Sequence, residues 1–193
     1  MFNCKANIMT LEFPKPTSIT GGCLCGSIRY RVNFPPTHDF ISACQTCQCT
    51  QCRRSTGSLF FPIHMVPKSA FTFLTTPTPP TLKSFRATLG AERCFCGDCG
   101  SFLFWRSDTS DTIDLAVGCI DPEYLFGEEQ RVSDNTAREA GRQGKRNEGF
   151  GRALAEAVTH MWCANEIAGV TDGMLRGKKM ERDSKHGVVL YED

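Results

Sequence analysis

The stretch "CQTCQCTQC", residues 44–52, places four cysteines within nine positions, and Arg53, Arg54 and Gly57 follow closely. Thiols this dense can form disulfides, a redox pair, a closed metal knot, or a metal site with one position left for a reactant. Seven of the twelve cysteines fall into three clusters: Cys23 and Cys25; Cys47, Cys49 and Cys52; Cys96 and Cys99. The opening "MFNCKANIMTLEFPKP" lacks the positive-then-apolar layout of a secretory signal, so the clusters read as metal ligands before disulfides. A C-x-C pair on extended backbone also meets disulfide geometry poorly. A thioredoxin-like use of C-x-x-C is disfavoured, because no βαβ pattern surrounds it.

The first and third clusters each end in Cys-Gly, as "CLCG" (23–26) and "CGDCG" (96–100). A glycine after the last ligand lets the backbone take a positive φ and fold under an ion, with amides aimed at the thiolates. Cys23, Cys25, Cys96 and Cys99 together supply the four sulfurs of a closed tetrahedral site. Soft thiolates favour zinc or an iron–sulfur cluster over magnesium or calcium, and zinc is the expected ion. Joining residues 25 and 96 through it makes this first zinc structural.

Cys47, Cys49 and Cys52 could hold a second zinc by one face and leave its fourth position to water or substrate, the pattern of catalytic zinc. Cys44, at C-x-x-C spacing from Cys47, or Cys94 could instead add a fourth sulfur and close the site. Spacing alone leaves both versions standing. Arg53 and Arg54 could grip a carboxylate of an acidic substrate, although a solvated charge pair on a turn is the commoner role. Gly57 reads as a tight bend beside the metal loop. His64 and His160 are the candidate proton shuttles, since imidazole titrates near neutral pH; a packed or surface histidine is the more usual fate. Asp121 reads as a cap, and Cys4, Cys119 and Cys163 as small apolar groups.

Strands are the elements expected to position these residues. Segments 27–34, 58–66, 71–75, 82–87, 101–107 and 112–120 alternate or are rich in Phe, Ile, Val and Thr, with Gly or Pro at their bounds. The proline-dense "TTPTPPTL" (75–82) reads as a loop. "FGRALAEAV" (150–158) predicts a short helix. The fold class expected is mainly β: a loose leader over 1–19, one zinc-binding domain over 20–193, and a polar insertion at 127–149. A net charge of +1 over 193 residues gives no electrostatic footprint for nucleic acid or an anionic membrane. No apolar run approaches the roughly 20 residues that span a bilayer. The expectation is a cytoplasmic protein acting on a small molecule, with a homodimer left open.

In that order, "GGCLCGSIRY", "CQCTQCRRSTGS" and "FCGDCGSFLFW" resemble the glutathione-dependent formaldehyde-activating enzyme and centromere protein V family. "VGCIDPEYL" looks like the segment that follows the last knuckle in that family, and "THMWCANEIAG" is a weaker echo. The resemblance implies an Mss4-like, β-rich fold with a structural zinc on Cys23, Cys25, Cys96 and Cys99. It also implies a second zinc on Cys47, Cys49 and Cys52 with an open position. The activity implied is that of a carbon–sulfur lyase, in which glutathione adds to, or leaves, formaldehyde or another small carbonyl compound. Two departures bear on the substrate: Gln48 stands where members often have His, and the insertion at 127–149 is foreign to the compact pattern. A lyase, dehydratase or isomerase that works without glutathione on a larger metabolite is one rival reading. A non-catalytic zinc-stabilised binding module is the other.

Overall fold

The computed structural model describes residues 13–128, 147–183 and 187–191. Most of the expected insertion (129–146) and the first twelve residues of the expected leader lie outside them. In chain order the first strands are β1 (Ser18–Gly22), β2 (Arg29–Asn33), β3 (Cys44–Cys47), β4 (Phe61–Pro67), β5 (Phe71–Phe73) and β6 (Leu82–Thr88). Then follow β7 (Ala91–Cys96), β8 (Phe102–Ser107), β9 (Thr112–Ala116), β10 (Thr159–Met161), β11 (Lys178–Met180) and β12 (Val189–Tyr191). Among the described residues four short α-helices accompany them: α1 (Phe40–Ala43), α2 (Thr50–Thr56), α3 (Pro122–Phe126) and α4 (Gly151–Ala155). The mainly β expectation holds, and each of the six segments read as a strand contains one. The proline-dense loop and the short helix after residue 150 are also found. No helix among the described residues is long and apolar enough to cross a membrane.

Among the described residues the strands form two sheets. The smaller has the order β1-β2-β5, and the larger β12-β11-β10-β3-β4-β9-β8-β7-β6. Neighbours run antiparallel except at β10, which pairs parallel with both β3 and β11. β1 starts inside the stretch read as a leader, and its Ile19 is fully buried.

The period of two along each strand sorts side chains onto two faces of the larger sheet. One face carries Val66, Phe104, Ile113 and Leu115. It packs against Ile19, Tyr30 and Val32 of the smaller sheet and Leu154 of α4, forming the main core. The opposite face carries Cys47, Phe61, Ile63, Ala116 and Met161, joined by Cys52 from α2. This second, smaller cluster is where the middle cysteines lie.

The smaller sheet is tied to the segment after β9 by a polar knot. The Asp121 carboxylate accepts from Arg29 Nη1 at 2.8 Å, from Arg29 Nη2, and from Thr20 Oγ1 at 2.5 Å. The Tyr30 hydroxyl donates to the Cys119 carbonyl at 2.9 Å. Burial raises the Asp121 pKa, but the hydrogen bonds from Arg29 and Thr20 outweigh it and hold the carboxyl below its ordinary range. Asp121→Ala is expected to cost about 1–2 kcal/mol after allowance for the solvent around Arg29, whose side chain is 35% exposed. Because folding depresses this pKa, the contribution is present above the ordinary carboxylate value and lost as pH falls through the folded one. Denaturant melts of wild type and variant should therefore differ at pH 7 and converge in acid.

Candidate metal centre

The two Cys-Gly knuckles meet. Sγ of Cys23 and Cys25 are 3.5 Å apart, and Sγ of Cys25 and Cys96 are 3.8 Å apart. The sulfurs of Cys23, Cys25, Cys96 and Cys99 all lie within 4.8 Å of one another. Corners of a tetrahedron about 2.3 Å from a central zinc would be about 3.8 Å apart, so the donor set and spacing fit one ion. Gly26 and Gly100 take φ of 80° and 73°, the left-handed bend expected after each last ligand. The Ile28 amide donates to Cys23 Sγ at 3.3 Å. The Ser101 hydroxyl and backbone lower Cys99 to about 5, and the Ser27 hydroxyl lowers Cys25. Burial instead raises Cys23 to about 11. These hydrogen bonds favour the thiolate form of Cys99 and Cys25 over that of Cys23.

The second group is built at the junction of β3 and α2. Cys47 ends β3, and Cys49 caps α2, its sulfur accepting from the Cys52 amide at 3.3 Å. Cys52 lies in the helix's first turn, so the three ligand atoms converge within 4.8 Å. Sequence reading expects a loop here, and the structure has a seven-residue helix that ends at Gly57, with φ 66°. Nothing apolar repeats along "TQCRRST", and cysteine is not among the usual capping residues, so the local signals for this helix are weak. Hydrogen bonds from the Cys47 and Cys52 thiols strongly lower Cys49, and the same contacts raise Cys47.

Neither extra cysteine joins this trio. Cys44 Sγ donates to the Ala153 carbonyl at 3.2 Å and lies 3.3 Å from His64 Nδ1. Cys94 packs in the main core. Both occupy the opposite face of the larger sheet from Cys47.

The same parity separates the two candidate proton shuttles from the sulfurs. On β4, Phe61 and Ile63 face the trio and His64 faces away, toward Phe40 and a 3.0 Å contact with His38 Nε2. Burial, followed by the His38 charge, pushes His64 down to about 3. On β10, Met161 faces the trio, and His160 lies beside Thr46 on the far side. His160 Nε2 donates to the Arg176 carbonyl at 2.6 Å, so Nδ1 accepts from the Thr46 hydroxyl at 2.8 Å. The structure does not bring either histidine to the sulfurs.

Arg53 and Arg54 divide. Arg53 Nη2 donates to Gln48 Oε1 at 3.0 Å and to the Asn165 carbonyl at 2.6 Å, and Nε donates to the Leu59 carbonyl at 2.8 Å. It fastens the loop around the trio to the C-terminal segment. Arg54 is exposed. Gln48, fully buried, accepts from Arg53 and lies with Nε2 3.8 Å from Cys163 Sγ.

Phe102 and Trp105 read in the sequence as core or pocket wall, and both line this site. Met65, Phe102, Trp105 and Trp162 pack against the cluster that contains the trio. Trp162 has φ 61°, which is costly for a bulky side chain, and its amide donates to the Arg182 carbonyl at 3.0 Å. Its ring also lies 5.5 Å from the Arg182 guanidinium. The only sequence signal for it is a tryptophan beside Met161 and Cys163 in the weaker echo.

Residues 18–133, more than half of the chain, match the family model described as "Glutathione-dependent formaldehyde-activating enzyme". A crystal structure of a Rhodobacter sphaeroides protein is similar at 20% identity, covering 54% of this chain and 89% of that chain with a TM-score of 0.44. Three ordered cysteine motifs, two sulfur clusters on a β-rich frame and the match over residues 18–133 agree, and the chain belongs to the glutathione-dependent formaldehyde-activating enzyme family.

Proposed function

We propose that the protein is a zinc-dependent enzyme of carbon–sulfur lyase type. It would join a thiol such as glutathione to a small carbonyl compound, or separate the two, at Cys47, Cys49 and Cys52. The observation that carries this reading is the convergence of three sulfurs at the β3–α2 junction while Cys44 and Cys94 face elsewhere. Three thiolates can hold a zinc ion by one face, and an ion so held would supply the Lewis acidity that keeps a substrate thiol ionised. The four sulfurs of the other group then hold a structural zinc.

In the forward direction a carbon–sulfur bond forms at the carbonyl carbon, the carbonyl π bond breaks, and the thiol proton ends on the new hydroxyl. The far-side placement of His64 and His160 routes that proton through solvent in place of an imidazole. Arg54, exposed beside the trio in sequence, is the remaining arginine to meet a substrate carboxylate, since Arg53 is engaged within the chain. Met65, Phe102, Trp105 and Trp162 would exclude water on the apolar side. That aromatic wall also favours a second reading, in which a larger, apolar metabolite undergoes dehydration or rearrangement without glutathione.

Exchange NMR on ¹³C-formaldehyde and glutathione tests the first reading. Zinc-loaded protein is expected to accelerate formation and breakdown of the hydroxymethyl thioether, and a chelator to remove the effect. Zinc-loaded protein that leaves the exchange at its buffer rate would reject glutathione chemistry and move the assignment to the second reading.

A further inference from the structure

Arg93 on β7 sits in an unusual environment. The residue is 6% exposed. Its Nη2 donates to Gln51 Oε1 at 2.6 Å, whereas Nε and Nη1 are buried without a hydrogen-bond partner among the described residues. A guanidinium keeps its charge in proteins, so burying one with donors unmet is costly unless negative charge stands nearby. The adjacent carboxylate does not serve. Glu92 points to the other face and accepts from Arg106 Nε at 2.5 Å.

Strand register shows where Arg93 points. It lies opposite Trp105 of β8, whose ring packs against the trio's cluster, and opposite Phe85 of β6. Its partner Gln51 immediately precedes Cys52 in α2. Three thiolates on a divalent ion leave one excess negative charge, and Cys47 and Cys52 are buried.

We propose that Arg93 is the positioning residue of the trio: its buried guanidinium offsets the excess charge of the three thiolates around a divalent ion, and its hydrogen bond to Gln51 fixes the turn that carries Cys52. The inference rests on the trio being a metal site, as proposed above. Hydrogen-bond donors and positive charge close to metal-bound sulfur reduce its electron donation, so Arg93 also sets how strongly the trio's ion polarises an incoming ligand.

The test uses the full chain loaded with zinc, and separately with cobalt(II), as wild type, Arg93→Met and Arg93→Lys. A chromophoric chelator is titrated against each zinc-loaded protein, and the thiolate-to-cobalt charge-transfer band is recorded. Arg93→Met is expected to release one of two zincs roughly 10–100-fold more readily than wild type, with a displaced band and the four-sulfur ion retained. Arg93→Lys keeps a charge but not the planar fork, so it should recover part of the affinity while the band stays displaced. A merely structural arginine would lower the melting temperature and leave chelator competition and band where they were, which would overturn the proposal. Should Arg93→Met not fold, Arg93→Lys decides alone: an unshifted band with wild-type zinc retention would overturn the role. A wild-type chain that carries one zinc would overturn this inference and the proposed function together, whereas two zincs indifferent to Arg93 would remove the inference only.

Discussion

Cys49→Ser is expected to reduce turnover by more than about 100-fold while leaving a folded protein with one metal ion per chain. The loss of turnover follows from ligand count, since even outer contacts to a metal site cost 10–100-fold and a directly bonded sulfur should cost more. Survival of the fold follows from the second task Cys49 performs. Its sulfur accepts the Cys52 amide as the N-cap of α2. Serine is among the best residues at that position, so the helix keeps its cap while the soft ligand is replaced by a hard one. Metal content by mass spectrometry, thermal unfolding and the exchange assay separate the two effects. Two ions per chain with full activity would show that the trio does not hold the reactive ion.

The second large effect is expected at the other cluster. Cys96→Ser should abolish cooperative unfolding and leave little soluble protein, because this sulfur joins segments 71 residues apart. Cys96 is fully buried at the end of β7, where its amide accepts its place in the knuckle by donating to the Ser101 carbonyl at 3.0 Å. Structural zinc contributes on the order of 10 kcal/mol or more to small folded units, and whole domains are stable by only about 5–15 kcal/mol. Losing most of that contribution exceeds what the small β1-β2-β5 sheet can recover by packing alone. Near-ultraviolet circular dichroism and calorimetry check it. A variant with the wild-type melting temperature would remove the structural assignment. The contrast matters as much as either result: serine at 49 should spare the fold and serine at 96 should not.

How much of this could be read beforehand depended on whether the cause was local. Gly26 and Gly100 follow their ligands directly, and both adopt the left-handed bend that the Cys-Gly order implies. The strands with alternating Phe, Ile and Val fell where periodicity put them. Helix α2 was hidden because a cysteine caps it and no apolar repeat runs through it. The histidines illustrate a different obstacle. "FFPIHMV" is apolar at nearly every position, so sequence does not show which face of β4 meets the sulfurs, and one residue of offset sends His64 to the far core. Arg93 was missed because no strand was read over "AERCFC", and its link to α2 runs through Gln51, 42 residues earlier in the chain. Arg53 looked like a substrate clamp because its partner Asn165 lies 112 residues away in sequence.

The parallel pairing of β10 with β3 has a bearing on biosynthesis. Thr46 and His160 meet across 114 residues, and Met161 with Trp162 then walls the cluster that contains the three middle sulfurs. A ribosome delivers those sulfurs long before it delivers their cover. During that interval the nascent thiols stand open to oxidants and stray ions, and such distant strand pairing is intrinsically slow to form. The cover of the three middle sulfurs is therefore completed late, only once β10 has paired beside β3.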